Sequence, residues 1–290
     1  MESILCNPGD SRLWSQNSIL WGRAKSYETP TVTGTLSLKT VLHGEATWTA
    51  NRRAFKLDRT RYLLLNEGTG YRLDINSKTP VETFCIFFRP GFMNELLASR
   101  SDILGEGAPT TFEFAERLAL PDEQLSNHLA GLRALLQNPQ SQELVMVDSF
   151  LLIAERIVDV AGEAKAQHQA LPTAREATRT EIFKRLNIAR DYIISNLDKN
   201  LDLQSMADPA ALSPFHFHRL FREAYGQTPG QFLTDCRMHR ARSLLASTDE
   251  PVSNICQAVG FQSLPTFCNQ FRKRFGQNAS ALRGSSFSQG

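Results

Sequence analysis

Two short stretches of this chain carry side chains suited to touching a double helix. The first holds Phe215, His218, Arg219 and Arg222; the second holds Pro265, Thr266, Asn269, Arg272 and Lys273. Arginine donates twice to guanine, at O6 and N7, and asparagine pairs with adenine in the same two-point manner. Arg219 is therefore the leading base reader. His218 can donate to a base or a phosphate, and Phe215 can lie against a thymine methyl. In the second stretch Asn269 can read adenine, and Thr266 can meet a thymine methyl or a phosphate. Pro265 suits the first turn of a helix, where its missing N–H has no intrahelical partner. Ser213, Arg222, Arg272 and Lys273 are assigned to phosphates, which fix register without carrying sequence information. No cation precedes Arg272-Lys273-Arg274 on the second face. One stretch should discriminate bases and the other should anchor. The pair His216-x-His218 is no metal site, because side chains two apart on a helix diverge and no Cys or carboxylate stands nearby at ligand spacing.

The elements that hold these residues are written twice, 49–50 residues apart. Met206-Ala207, Ala211-Leu212-Ser213, Phe217, Phe221 and Gly226 match Ile255-Cys256, Gly260-Phe261-Gln262, Phe267, Phe271 and Gly276. Each copy reads as helix, tight turn and second helix with apolar residues every three to four positions. Ser213-Pro214 and Ser263 are helix starts, and small residues at Ala211 and Gly260 suit a helix crossing. Phe217, Leu220, Phe221 and Tyr225 should be core in the first copy, as should Phe267, Phe271 and Phe275 in the second. A long helix over Pro229–Ser247 joins the copies, and another runs from about Thr180 to Asn196.

The remainder reads differently. Up to about residue 92, short segments alternate apolar and polar residues, as in Thr35–Leu42, the period of a half-buried strand. Others are Ala46–Trp48, Ala54–Leu57, Tyr62–Asn66, Tyr71–Ile75 and Val81–Phe88, parted by turn residues including Asn51-Arg52 and Asn76-Ser77. Such spacing indicates an antiparallel sandwich or barrel. A short helix should begin over Phe92–Ser99. Two longer ones follow over Asp122–Gln137 and Ser141–Gln169, the latter with a stripe of Leu144, Val147, Leu151, Ala154, Ile157, Val158 and Ala161. That stripe either covers its own sheet or forms half of a dimer interface. Gly162–Arg179 is poor in large apolar residues and reads as a linker. The expected domains are 1–165, a linker at 166–179, and 180–290.

Composition narrows the classes. Apolar content is 41% and charge 21%, ordinary for a chain that buries real cores. The net charge of +2 conceals an imbalance, since residues 173–290 carry 15 Lys and Arg against 10 Asp and Glu. No run reaches the length of a membrane span, and the N-terminus lacks a secretory pattern. Five cysteines without CxxC spacing, three of them apolar fillers in expected helices, point to the reducing cytoplasm.

The segment from Leu203 to Arg283 resembles the DNA-binding domain of the AraC/XylS family of bacterial transcription regulators. The likeness rests on Gly260-Phe261-x-Ser263, Phe267, Phe271-Arg272-Lys273-Arg274-Phe275-Gly276 and Arg283. It also rests on Leu212-Ser213, Phe217-His218-Arg219-Leu220-Phe221, Gly226-Gln227-Thr228-Pro229, Arg237 and Ala241-Arg242-x-Leu244-Leu245. The resemblance implies two helix-turn-helix units entering successive major-groove segments of double-stranded DNA. Its base-reading positions fall on Phe215, His218 and Arg219, and on Pro265, Thr266 and Asn269. Asn269 departs from the frequent arginine, and Ala279 from a common proline.

The stretch from Leu38 to Phe92 is similar to the cupin-type sensor domains of that family. It lacks the GxxxxxHxHxxxxE cluster of metal-binding cupins, because His43 stands alone before His128. The expected architecture is α+β and multidomain: a cupin-like antiparallel β-barrel with helices, then an all-α domain with two helix-turn-helix units. The resemblance implies a cytoplasmic regulator, an activator with RNA polymerase as partner, working as a homodimer. No enzymatic activity, cofactor or membrane partner is expected. The barrel would sense a small molecule or a protein. The alternatives are a ligandless protein-docking barrel, or a metal-dependent cupin enzyme fused to a DNA-binding domain. Trp48, Tyr62 and Tyr71 are candidate pocket residues, with ordinary core as the competing reading.

Overall fold

The computed structural model describes residues 16–104, 116–137, 143–173 and 175–286. They divide into two units, one ending at Ala166 and the other beginning at Gln167.

The first unit contains strands β1 (Ser18–Glu28), β2 (Val32–Thr33), β3 (Ser37–His43), β4 (Ala46–Ala50), β5 (Arg53–Leu57), β6 (Tyr62–Leu65), β7 (Gly70–Phe87) and β8 (Leu118–Ala119). All pair antiparallel in the order β5-β4-β7-β3-β6-β8, with β1 and β2 also on β7. The sheet curls into a nearly closed barrel. The 18-residue β7 organises it. Its second half lies between β1 and β3, and its first half between β4 and the pair β1 and β2. The turn expected at Asn76-Ser77 does not end the strand, which is continuous through it. It does interrupt the ladder with β1: Ser26 pairs with Asn76 but Ala24 with Val81, so residues 77–80 stand out of register, and Thr79 N–H donates to Ser77 Oγ at 3.3 Å. The local turn preference survives as a bulge inside a longer strand. Asn51-Arg52 does turn, with φ of 50° and 61°, the left-handed pair that suits a two-residue hairpin.

The alternation in β3 predicts one wet face, yet both faces are dry. Leu36 and Leu38 pack with Phe84, Ile86 and Phe88 against Met93, Leu125, Phe150, Ile153 and Ile157 of the covering helices. Ser37 and Lys39 occupy the opposite face and are buried inside the barrel. The covering helices are α1 (Phe92–Leu104), α2 (Glu123–Gln137) and α3 (Glu143–Gln169). Asp122 caps α2 by accepting from the Leu125 N–H at 2.7 Å, and it pairs with Arg156 of α3 at 2.6 Å. The apolar stripe of α3 holds at Ala154 and Ile157, which are buried, and at Val158, which packs on the same core. Its first turns are rotated: Met146, Phe150 and Ile153 are buried, whereas Val147 is 49% exposed. Leu144 lies where no side chain is described.

In the second unit the helices are α4 (Glu176–Ser195), α5 (Leu203–Ala207), α6 (Pro214–Tyr225), α7 (Pro229–Ser247), α8 (Val252–Ala258), α9 (Leu264–Phe275) and α10 (Ala279–Ser286). A 3-10 turn, Asp208–Ala210, follows α5. The linker expected over 166–179 is largely helical, ending α3 and opening α4. Its alanines and glutamines favour helix, and a solvated helix has the same polar composition as a linker. α7 begins with a capping box: Gln231 N–H donates to Thr228 Oγ1 at 3.3 Å, and Thr228 N–H donates to Gln231 Oε1 at 2.9 Å. Its buried face serves both copies of the repeat. Phe232 packs its ring on Phe221 (5.4 Å between centroids), while Met238, Ala241 and Leu245 join Ile255, Val259, Phe267 and Phe271.

The two copies differ at their turns. Ala211 is exposed with φ 51°, so its small size serves a left-handed backbone and not a helix crossing. Gly260 serves both ends. Its φ is 89°, and a Cβ there would stand 2.2 Å from the Leu197 carbonyl oxygen. Among the described residues, Cys85, Cys236 and Cys256 are buried and in no disulfide, but Cys268 is exposed and fills no core. No described helix is long and apolar enough to cross a membrane.

Gly260→Ala should lower the stability of the second unit by about 2–4 kcal/mol, because a positive φ and a backbone clash coincide. Urea unfolding followed by circular dichroism would measure it, and a loss under half a kcal/mol would mean that the junction yields freely.

Candidate nucleic-acid interface

Each candidate reading helix is held by the same three devices. Ser213 opens α6 by accepting from His216 N–H at 3.4 Å, and Ser263 opens α9 by accepting from Thr266 N–H at 3.5 Å. Both helices then carry a proline in the first turn and close on a left-handed glycine, Gly226 or Gly276. Phe217, Leu220, Phe221 and Ala224 of α6 are buried, as are Phe267 and Phe271 of α9. Those faces fix which residues look outward.

On α6 the outward residues are Phe215, Arg219 and Arg222, with His218 half-buried beside them. Phe215 is 81% exposed, an unusual position for a phenylalanine that has a core available one residue pair away. On α9 Leu264, Pro265, Thr266, Asn269, Arg272 and Lys273 are all exposed. Every nominated residue is therefore exposed except His218, which is half-buried. Arg219, Arg222, Arg272 and Lys273 have no ion-pair partner among the described residues. Ser213 is engaged as an acceptor, which leaves its hydroxyl proton available.

Other cations of the repeat are structural. Arg237 donates through Nε to the Leu197 carbonyl at 2.8 Å and through a terminal nitrogen to the Lys199 carbonyl at 2.6 Å. Its guanidinium also covers the Phe261 ring at 5.7 Å, and burial pulls its pKa below the usual arginine value despite Asp198. Arg274 pairs with Asp235 at 3.3 Å and lies over Phe275. Two side chains expected in the core are only half-buried. Tyr225 turns its hydroxyl to donate to Asn187 Oδ1 at 3.2 Å, and Phe275 is flanked by the guanidiniums of Arg242 and Arg274. A hydroxyl and a cation-covered ring both favour the edge of a core.

A second set of functional candidates was not visible as such in the sequence. Lys39 is 1% exposed inside the barrel. Its ammonium lies over Phe87 (3.8 Å) and Tyr71 (4.2 Å) and donates to the Tyr71 hydroxyl at 3.2 Å. Desolvation lowers its pKa to about 8. Cys85, its register partner on β7, has its thiol pushed up by the same burial. Trp48 shares the interior face with Tyr71, since their strands pair Trp48 with Leu73 and Ala50 with Tyr71. Tyr62 faces the helices instead and leaves the candidate pocket. The signal available in the sequence was the lysine at an alternating strand position, which normally marks solvent. Among the described residues no group of three or more His, Cys, Asp or Glu could hold a metal ion.

Comparison with known proteins gives two separate matches, and the boundary at Ala166 lies in the gap between them. Residues 19–152 match the model of an AraC-like ligand binding domain, and residues 206–285 match a helix-turn-helix domain. The chain is 32% identical over 98 residues to the bifunctional transcriptional activator/DNA repair enzyme AdaA of Bacillus subtilis, covering 34% of this chain and 46% of that protein. It is 26% identical over 166 residues to the transcriptional activator RhaS of Pectobacterium carotovorum, covering 57% of this chain and 56% of the relative. The chain thus spans about half the length of these curated relatives. A crystal structure of an AraC-type transcriptional regulator from Chromobacterium violaceum is 24% identical with a TM-score of 0.35, covering 40% of this chain and 100% of that one.

The assignment of faces makes a direct prediction. Phe217→Ala should cost about 3–5 kcal/mol of stability as a core truncation, whereas Phe215→Ala should stay within about 0.5 kcal/mol. Thermal melts of the two variants check this, and comparable losses would show that Phe215 is a packing residue.

Proposed function

Since the chain belongs to the AraC family, we propose that it is a sequence-specific DNA-binding transcription regulator. The observation that carries this reading is the outward face of α6, where an exposed phenylalanine and an unpaired arginine occupy the first turns of a rigidly capped helix. A recognition helix contacts base edges through those turns. Arg219 reads a guanine, His218 donates to a neighbouring base, and Phe215 meets a thymine methyl. Arg222 and the Ser213 hydroxyl hold phosphates. On α9, Pro265, Thr266 and Asn269 approach the next major-groove segment, while Arg272 and Lys273 bind its backbone. With one cationic reader on α6 and none on the matching turns of α9, the first unit discriminates and the second anchors.

The barrel is the sensor in this reading, and effector binding shifts the population of the DNA-competent state. Such a shift needs an effector that binds the two states with different affinity. The regulator works as a homodimer. Support comes from the outer side of α2 and α3, where a groove of about 470 Å³ is lined by Asn127, His128, Gly131, Leu135 and Leu152. Leu152, Val145 and Val147 stand exposed on α3, an apolar surface that a second copy can cover. That the relative RhaS is a transcriptional activator supports activation as the outcome; RNA polymerase as the partner, the cytoplasm as the compartment and the absence of an enzymatic step belong to the same proposal.

Two substitutions separate reading from anchoring. Arg219→Ala should lose about 1–3 kcal/mol of binding and relax selectivity at one base pair. Lys273→Ala should weaken all duplexes alike and reduce the salt slope of log K by about one. Fluorescence anisotropy across a salt series, on matched and single-mismatch duplexes, gives both quantities. Unchanged selectivity in the first variant would place the reading face elsewhere on α6.

A further inference from the structure

The helix-turn-helix match begins at residue 206, yet the second unit begins at Gln167, and the residues just inside that boundary are tied to α4. The His168 side chain, in the last turn of α3, is only 18% exposed. Its ring stands edge-on to Phe183 with 5.4 Å between centroids, and its Nε2 lies 3.3 Å from Thr180 Oγ1 and 3.6 Å from Glu176 Oε1. Arg179 closes the same segment by donating to the Thr173 carbonyl at 2.5 Å and pairing with Glu176 at 2.7 Å. Phe183 passes the contact on to α6. Its ring centroid is 6.4 Å from that of Tyr225, which in turn is 4.4 Å from that of the buried Phe221. Asn187, buried beside them, donates from Nδ2 to the Phe183 carbonyl at 3.0 Å and accepts from the Tyr225 hydroxyl at 3.2 Å. A buried amide engaged at both ends holds its partners to one geometry. Tyr225 ends α6, the helix that presents Arg219. In the second copy its counterpart is Phe275, a ring without a hydroxyl. The groups described around Phe275 are Phe271, His239, Arg242 and Arg274, from α7 and α9.

We infer that His168 is a positioning residue for base reading. By covering Phe183 it holds Tyr225, and through Tyr225 it sets how α6 meets the groove, while α9 anchors independently of it. The inference rests on the regulator reading above, with Arg219 as the base reader. A bidentate pair tolerates little displacement, because both donors must stay about 2.7–3.2 Å from O6 and N7. A phosphate contact carries no sequence information, so the same displacement costs it no discrimination. Truncating His168 uncovers Phe183 and loosens the end of α6 that packs on it. Selectivity then falls while affinity for the DNA backbone persists. A residue that only stabilised the fold would change the active fraction, alter binding to every duplex alike and leave selectivity untouched.

The test uses the full chain and two duplexes: one selected from a random library, and the same duplex with the guanine identified by Arg219→Ala replaced. The quantity read is the ratio of the two dissociation constants. His168→Ala should lower that ratio about threefold, a part of the roughly 5–150-fold that a bidentate arginine supplies. The salt slope of log K should stay as in the wild type. His168→Phe returns a ring to Phe183 and should keep the wild-type ratio. In an Arg219→Ala background, His168→Ala should change the ratio no further, the coupling expected of a residue that acts through Arg219. Should His168→Ala fail to fold, Tyr225→Phe deletes only the hydroxyl held by Asn187 and takes its place, with the same loss expected. A ratio that depends on Arg219 but is unchanged in His168→Ala, or in Tyr225→Phe where that stands in, sinks this inference alone. So does a ratio that His168→Phe fails to keep, or a further loss in the Arg219→Ala background. Failure to select any duplex sinks the regulator reading and this inference with it.

Discussion

The second unit depends on one three-way joint. Arg237, midway along α7, ties down the Leu197 and Lys199 carbonyls that follow α4, and its guanidinium covers Phe261. Gly260 passes so close to Leu197 that no side chain fits between them. Carbonyls beyond a helix end are orphaned unless something donates to them, and here the donor comes from the helix that bridges both repeats. The end of α4, the middle of α7 and the turn before α9 are therefore fixed together. Because α7 also lends its first half to Phe221 and its second half to Phe267 and Phe271, α6 and α9 cannot reorient independently without opening a core.

That rigidity gives the exposed residues their meaning. An arginine on a floppy helix would spend binding energy on ordering, whereas Arg219 is presented by a helix already capped at both ends. The two reading helices share their caps, their prolines and their terminal glycines, yet differ where chemistry would occur. At matching positions 50 apart, Phe215 faces Pro265 and Arg219 faces Asn269 in the repeat. The scaffold is symmetric while the outward surfaces of the two helices differ. This is the pattern expected when one copy supplies discrimination and the other supplies affinity.

Much of this unit was legible because its helices bury one stripe and its turns use Gly, Ser and Pro for local backbone reasons. Phe217, Phe221, Phe267 and Phe271 are all fully buried, where their spacing put them. The first unit was harder, and each difference has a cause. A turn at Asn76-Ser77 is a local preference that becomes a bulge, because β1 pairs with β7 on both sides of it. The stripe on α3 holds at Ala154 and Ile157 but not in the first turns, where apolar residues continue around the helix and leave Val147 outside and Met146 and Phe150 inside. Alternation in β3 was read as water on one side, but a closed sheet has an inside as well as a helix-covered outside. Lys39 is the residue that this geometry traps. Sequence periodicity reports that two faces differ, and only closure decides where the polar face goes.

The most direct measurement of the central claim is in vitro selection of bound duplexes from a random-sequence library by the full chain, followed by sequencing. An unequal pair of helices predicts a motif with one informative block of a few base pairs that contains a guanine. A neighbouring segment about one helical turn away, roughly 10 base pairs, should be protected yet nearly free in sequence. Two blocks of equal information, or the stronger block assigned to α9 by the Arg219→Ala variant leaving it intact, would contradict the account.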